Sequence, residues 1–338
     1  MESPSANVLS VVMVLLYHSP NFRDKVLQAE NSSPELRAAA SVFRAIAGET
    51  DSEGNQGETA IKLAVQKILV QKNIIPNADQ GVDVFEAFSF YLDRLNTAYE
   101  KHCAQAVKES GNLFSTFDIK MKNFTACNNC SNYNFLIESS TSIPITAKLG
   151  SVDAGIKQFQ SPEKIEGYHC TECRSTTVID KGTAVHSTPD VFMVLVNRFQ
   201  FCYETFTKQK VTEKVHFDLR LNLDKMGVKT DKQYELFAVI IHLGTATYGH
   251  NHILVRGKLG QPSDQTQDSA DLSPIDAWSD CLPTPENAHL FRGWTKYGDY
   301  KISDASIADV ARTIGPGALN PLAYIVCYKA VDPKSPPA

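Results

Sequence analysis

The chain has 338 residues, of which 43% are apolar, 9% aromatic and 21% charged, the make-up of a globular protein with a large core. Its 33 Lys and Arg against 38 Asp and Glu leave a net charge of −5, which argues against a nucleic-acid binder and its basic face. The same acidic balance permits, weakly, a basic protein partner.

The N-terminal stretch from Val8 to Tyr17 is an apolar run. It is too short to span a bilayer, and the only charge before it is Glu2, so it lacks the basic start of a secretory signal. A buried helix is the expectation, with no membrane partner. Ser33-Pro34-Glu35-Leu36 offers an N-cap with proline at the first helical position, and Ala38 to Ala47 continues with good helix formers. Asp51 to Glu58 is a polar, glycine-bearing loop. Phe85, Phe88, Leu92 and Leu95 recur at helical spacing and predict one buried face. The first hundred residues or so are therefore expected to form a helical subdomain.

From about Phe114 the texture turns to strands. Two Cys-x-x-Cys pairs, Cys127–Cys130 and Cys170–Cys173, are separated by 39 residues. Zn2+ takes four thiolates tetrahedrally, and each such turn presents two of them, so the four cysteines predict a closed structural zinc site. A closed site leaves no position for water, so the metal would hold a fold rather than perform chemistry. The alternatives are two disulfides or four unrelated buried thiols. The other cysteines, Cys103, Cys202, Cys281 and Cys327, are scattered singly, unlike a secreted disulfide framework, and point to an intracellular chain, cytoplasmic or nuclear.

Further on, Phe192 to Val196 is continuously apolar, as in a strand buried on both faces. Val215 to Leu219 alternates, and Tyr234 to Leu243 and Ile253 to Val255 are rich in β-branched and aromatic residues. A loop rich in Ser, Asp, Gln and Pro runs from Gly260 to Pro285, read as part of a mobile insertion over 260–293. Ala323 to Tyr328 is the closing strand. Helices first, then a zinc-pinned antiparallel extension, then a sheet, define an α+β fold.

These pieces, in this order, resemble the catalytic domain of the ubiquitin-specific proteases, the papain-like deubiquitinases. Asp83-Val-Phe-Glu86 and Leu92-Asp-Arg-Leu95 resemble the family's Q-D-A-x-E-F…L-L-D-x-L segment. The four cysteines resemble its zinc ribbon. Pro189 to Phe199 is similar to L-P-x-x-L-x-x-x-L-x-R-F, and Val215-His-Phe217 to V-x-F-P. Tyr234 to Gly244, with Gly249-His250, is similar to Y-x-L-x-A-V-x-x-H-x-G…G-H-Y. Trp294 and Asp299 fit W-x-x-F-x-D, and Ala323-Tyr324 with Tyr328 fits A-Y-x-L-x-Y. The resemblance covers about Ser10 to Tyr328. It implies a right-hand fold in one domain over 1–338: a helical thumb (1–113), zinc-ribbon fingers (114–185) and an antiparallel β palm (186–330). It also implies ubiquitin, a ubiquitin-like modifier or ubiquitinated proteins as partners, and structural Zn2+ as the metal.

A cysteine protease needs a thiolate, a histidine to take and return its proton, and a polar group to orient that histidine. A helix N-terminus lowers the thiol pKa, so the nucleophile usually opens a helix. The family's G-N-T-C-Y-x-N-S-x-x-Q-x-L segment falls on the stretch from Ser5 to Leu15. Anchored on Ser10 and Leu15, it places Ala6 at the nucleophile and Met1 at the oxyanion-stabilising asparagine, and the Gly-Asn-Thr turn is absent. The first cysteine in the chain is Cys103. His250 matches the catalytic histidine, with Arg256 in its expected place. His252 is a rival two residues away; on a strand both point to one face, so a metal pair is an alternative, without a visible third ligand. His242 matches a non-catalytic histidine. Gly298 stands at the third triad position, and Asp299 matches the family's second, orienting acid. Gly81-Val82 and Asn251 also depart from the pattern beside the channel. Two readings result: a non-cleaving binder of ubiquitin, a ubiquitin-like modifier or a partner protein, or an active thiol hydrolase whose nucleophile precedes Ser10 in an N-terminally longer chain. A zinc-ribbon scaffold is a third.

Overall fold

A computed structural model of the chain describes residues 4–69, 82–257, 278, 284, 287–315 and 321–331. Met1, Gly81, Cys281 and most of the expected 260–293 insertion lie outside these residues.

The thumb comprises α1 (Pro4–Tyr17), α2 (Pro20–Gln28), α3 (Pro34–Ile46), α4 (Gly57–Leu69), α5 (Val84–His102) and α6 (Ala104–Ser110). Its first helix is apolar all round because it is surrounded: Leu9 and every residue from Val11 to Leu16 are fully buried. The Ser33 side chain accepts from the Leu36 amide, capping α3 ahead of its proline. Asp83 caps α5 by accepting from the Phe85 and Glu86 amides. On α5, Phe88, Leu92 and Leu95 are buried as their spacing predicts, while Phe85 is half-buried.

The fingers are a four-stranded antiparallel sheet in the order β2-β1-β5-β4, with β1 at Ile119–Cys127, β2 at Tyr133–Ser140, β4 at Glu163–His169 and β5 at Thr176–Ser187. The stretch 114–185 does not belong to the fingers throughout. Between the two hairpins the chain lays β3 (Ile143–Thr146) and α7 (Val152–Gln160) on the palm, where β3 runs parallel to β6 (Val191–Asn197).

The palm is an eight-stranded sheet. Its main path is β13-β12-β11-β10-β14-β6-β3, and the short β9 (Arg220–Leu221) joins β10. The long strands are β6 (Val191–Asn197), β10 (Gln233–Gly244), β11 (Gly249–Arg256) and β14 (Leu322–Val331), with β12 (Trp294–Gly298) and β13 (Lys301–Ala305) at one edge. Successive residues enter opposite cores, which explains the uninterrupted apolar runs. Met193, Ile240 and Ile325 pack with the thumb helices. Phe192, Val194, Val239, Ile241 and Val326 pack on the other side with Phe217 and Trp278. Val215 to Leu219, expected as a strand, makes no ladder; His216 alone bridges to Ser151. Its alternation survives in burial, because Val215, Phe217 and Leu219 fill the second core while its amides and carbonyls find scattered partners. A further hairpin, β7 (Phe199–Cys202) and β8 (Thr207–Lys210), leaves the end of β6. The helix α8 (Ile307–Arg312) precedes β14.

Candidate functional site

Two clusters carry chemistry. The first closes the fingertips. The turn after β1 carries Cys127 and Cys130, and the turn after β4 carries Cys170 and Cys173. The two turns repeat one geometry: the Cys127 amide donates to the Asn132 carbonyl and the Cys170 amide to the Ser175 carbonyl. Ser131 and Arg174, each directly after the second cysteine of its pair, take positive φ of 57° and 53°. The ligand atoms of the four cysteines lie within 4.8 Å of one another, and none forms a disulfide. Cys127 Sγ is 3.9 Å from Cys173 Sγ, and Cys130 Sγ is 3.8 Å from Cys170 Sγ. The Ser175 hydroxyl, with Asn129, draws the Cys173 thiol down to about 6. Cys130 goes the other way, to about 12: the Asn132 amide favours its thiolate, but desolvation and the neighbouring sulfurs outweigh it. Four thiols this close cannot all ionise unless a cation sits among them, and that donor set suits tetrahedral Zn2+.

The second cluster lies where α1 packs against β11 and β12. His250 and His252 project from the same face of β11, as the two-residue period requires. Asp299 occupies the two-residue turn between β12 and β13. Asp299 and Tyr300 both take left-handed φ, of 51° and 58°, as a type I′ hairpin demands of residues that avoid it elsewhere. That turn lifts the Asp299 carboxylate between the two rings. His250 Nδ1 lies 3.1 Å from Oδ1, and His252 Nε2 lies 3.0 Å from Oδ2. The Asn7 side chain, from the first turn of α1, donates to Oδ1 at 2.9 Å. Its own oxygen accepts from the Asn251 amide at 3.4 Å. Burial alone would raise the Asp299 pKa, but the hydrogen bond from His252 and the charges of both rings hold it below its usual value. The carboxylate only accepts, so each ring presents an N–H to it, and Nε2 of the exposed His250 faces away from Asp299. The His252 side chain is 11% exposed and its pKa is lowered, chiefly by burial.

The rings flank a carboxylate rather than converge on a common point. Among the described residues, the four cysteines are the cluster with metal-ligating geometry.

The structure thus brings His250 and Asp299 together, with Gly298 beside them and Ala6 adjacent to Asn7. It also adds two residues that sequence patterns do not single out as partners of that acid. Asn7 reads as one more helix residue until the rotation of α1 is known. His252 was legible as a neighbour of His250, yet its contact with Asp299 depends on the turn geometry. His242 is buried on β10, with its ring edge against Phe199, and burial with the nearby Lys210 and His250 lowers its pKa to about 4. It explains the glycine of Gly249-His250: a Cβ on Gly249 would stand 2.3 Å from His242 Nε2. The imidazole with the geometry of a thiol hydrolase is His250, held through Nδ1 by Asp299. What it lacks is a thiol at the start of α1, where Ala6 and Asn7 stand. Cys103 joins α5 to α6 against the thumb core, Cys327 is fully buried on β14, and Cys202 ends β7.

No described helix is long and apolar enough to cross a membrane. Among solved structures, the chain is similar to Ubp8 in the SAGA DUB module of Ubp8, Sgf11, Sus1 and Sgf73 bound to ubiquitin aldehyde. The TM-score is 0.71 at 20% identity, over 97% of this chain and 68% of that one. An Ubp8 variant in the same module, bound to monoubiquitin, gives 0.71 at 20% identity over 97% of this chain and 67% of that one. Among relatives by sequence, ubiquitin carboxyl-terminal hydrolase 47 of Drosophila melanogaster is 23% identical over 255 residues, 68% of this chain and 16% of that protein. Probable ubiquitin carboxyl-terminal hydrolase 8 of Schizosaccharomyces pombe is 22% identical over 252 residues, 72% of this chain and 54% of that protein. The chain therefore spans only part of the length of these relatives. The profile of the ubiquitin carboxyl-terminal hydrolase family matches residues 8–328, nearly the whole chain, and the chain belongs to that family.

Proposed function

We propose that this chain binds ubiquitin or a ubiquitin-like modifier through its fingers and cleft without hydrolysing it. One observation carries the reading. The residue of α1 that meets the His250–Asp299 pair is Asn7, whose amide bonds the carboxylate, and the residue before it is Ala6. Neither side chain can attack an isopeptide carbonyl, so the imidazole has no sulfur to deprotonate. Binding is supported separately. The fingers leave Tyr133, Phe135, Leu136 and Ile165 exposed, with Phe135 at 57% and Leu136 at 61%, a patch expected of a surface that meets a partner. The Ubp8 module, of the same fold, is seen with monoubiquitin and with ubiquitin aldehyde.

A second reading draws on the same cluster. His250 and Asp299 already form the acid–imidazole pair of a thiol hydrolase, and a cysteine carried by sequence preceding Ser10 in a longer form of the chain would complete it. One experiment separates the readings: reaction of the chain with ubiquitin carrying a C-terminal electrophile, beside calorimetric titration with ubiquitin. Binding without a covalent adduct is the expected result. An adduct would overturn the non-cleaving reading, and neither adduct nor binding would leave a zinc-ribbon scaffold for another partner.

A further inference from the structure

The position that departs most from the family pattern in the palm is Gly298, where a side chain is expected to orient the histidine. Gly298 is not an empty place. A Cβ built on it would stand 2.0 Å from His252 Cδ2 and 2.4 Å from His252 Cγ. Those are ring atoms of a side chain only 11% exposed, so the ring cannot swing aside cheaply. The imidazole of His252 and a side chain at 298 are mutually exclusive occupants of one space. The ring that fills it spends its Nε2–H on Asp299 Oδ2 at 3.0 Å. Its Nδ1 is buried and without a hydrogen-bond partner, so packing and this one bond fix its orientation.

Asp299 needs such a support. It stands on a two-residue turn with both residues in left-handed φ, and its carboxylate is 43% exposed. Oδ1 is shared by Asn7 and His250; Oδ2 is held by His252. A carboxylate pinned at both oxygens cannot rotate away from His250. Without His252, one oxygen loses its protein donor and turns to water.

We propose that His252 is a positioning residue that replaces the side chain missing at Gly298, holding Asp299 in register with His250. The glycine at 298 and the imidazole at 252 are one compensated exchange across β11 and β12. The inference refines the site described above, yet stands apart from whether ubiquitin is bound, because its readout lies within the free protein.

The test is the tautomer of His250, read from the 15N shifts of its ring in the full chain with neutral imidazole. Tyr248, His242 and Lys296 are left as they are, so apart from the substituted positions the groups around His250 are constant. In the native chain His250 is expected as the Nδ1–H form, the less common tautomer of a free imidazole. His252→Ala is expected to shift it towards Nε2–H. His252→Gln, which keeps a donor, is expected to restore most of the Nδ1–H signal. Gly298→Asn alone is expected to displace the ring and disturb His250 as His252→Ala does. Combined with His252→Ala it is expected to fit, and to bring the Nδ1–H signal back. A folded His252→Ala protein with an unchanged His250 tautomer would overturn the proposal. So would Gly298→Asn acting identically with and without His252. Should His252→Ala fail to fold, the His252→Gln and Gly298→Asn spectra decide by themselves.

Discussion

The fingers and the palm are both sheets, yet different forces hold them. The palm is sandwiched, and alternate residues of β6, β10 and β14 enter two separate cores. The fingers have almost no interior. Every residue of β4 and the first seven of β2 are exposed; among the described residues the tip buries Cys127, Cys170 and Ile179, and Ile119 and Met121 at the base of β1 join the second core. Burying a large apolar side chain is worth about 1.5–3 kcal/mol, which the palm collects dozens of times and the fingers almost never. The lesson is that a sheet too thin to have a core can be closed by four cysteines and an ion instead.

The largest effect expected from that contrast is metal loss. Cys127→Ser or Cys170→Ser should abolish zinc binding, whose apparent free energy is about 10 kcal/mol or more in isolated structural sites. Amide exchange in β1, β2, β4 and β5 should rise to unprotected rates while α1 and β14 stay protected. Unchanged metal content and exchange would sink the idea that a metal closes the fingers.

The converse cut goes through the palm. Ile325→Ala removes a fully buried side chain between β14 and the thumb, and about 2–5 kcal/mol of stability should go with it. Denaturant titration should show the loss while zinc content per folded molecule stays the same.

Acid sharpens the contrast further. His18 is held to about 3 by burial, with the charges of Lys329 and Arg23 beside it, and His242 to about 4 by burial, Lys210 and His250. Both are neutral when folded and take up a proton when unfolded below the ordinary 6.5. The unfolded chain therefore binds more protons between pH 6.5 and about 4, and stability falls as pH drops through that window. The slope is about 1.4 kcal/mol per pH unit for each such imidazole. His242→Gln should flatten it, and equal slopes in denaturation midpoints measured against pH would show that His242 does not contribute.

The smallest effect sits on the seam between thumb and palm. Asp83 caps α5 and also accepts from the Tyr324 hydroxyl at 2.7 Å. Asp83→Ala should cost about 1–2 kcal/mol, and Asp83→Asn, still a capping residue, distinctly less. Equal thermal shifts for the two would assign the effect to something other than the cap.

What the sequence revealed follows the range of the interactions. The fingertip cysteines were legible because a Cys-x-x-Cys turn makes its own geometry locally. The α3 start was legible from Ser33-Pro34, since a cap acts within three residues, and α5 from the spacing of Phe88, Leu92 and Leu95, whereas its Asp83 cap was seen only in the structure. The palm strands showed as apolar runs because both faces are covered. By contrast β3 has four residues, one of them Pro144, and its strand character comes only from pairing with β6. Val215 to Leu219 has the alternation of a strand without a partner to make it one. At the site, His250 and Asp299 were readable as motif residues. Asn7 and the His252–Gly298 exchange required the rotation of one helix and the contact of two strands.

The path of the chain through the fingers bears on how the molecule assembles. The chain leaves the palm side for β1 and β2, returns to lay down β3 and α7, and departs again for β4 and β5. The central pairing, β1 with β5, joins residues roughly sixty positions apart, with little buried surface to reward the loop it closes. Such contacts form late, because closure entropy must be met before they gain anything. β3 and β6 close a loop of similar size, Ile143 pairing with Val194, but that pairing is rewarded by burial in the palm and is expected to precede the joining of the two cysteine turns. In that order of events the ion is the last component captured, and a nascent chain starved of zinc would present a finished palm carrying two loose hairpins, one of them with Tyr133, Phe135, Leu136 and Ile137 exposed.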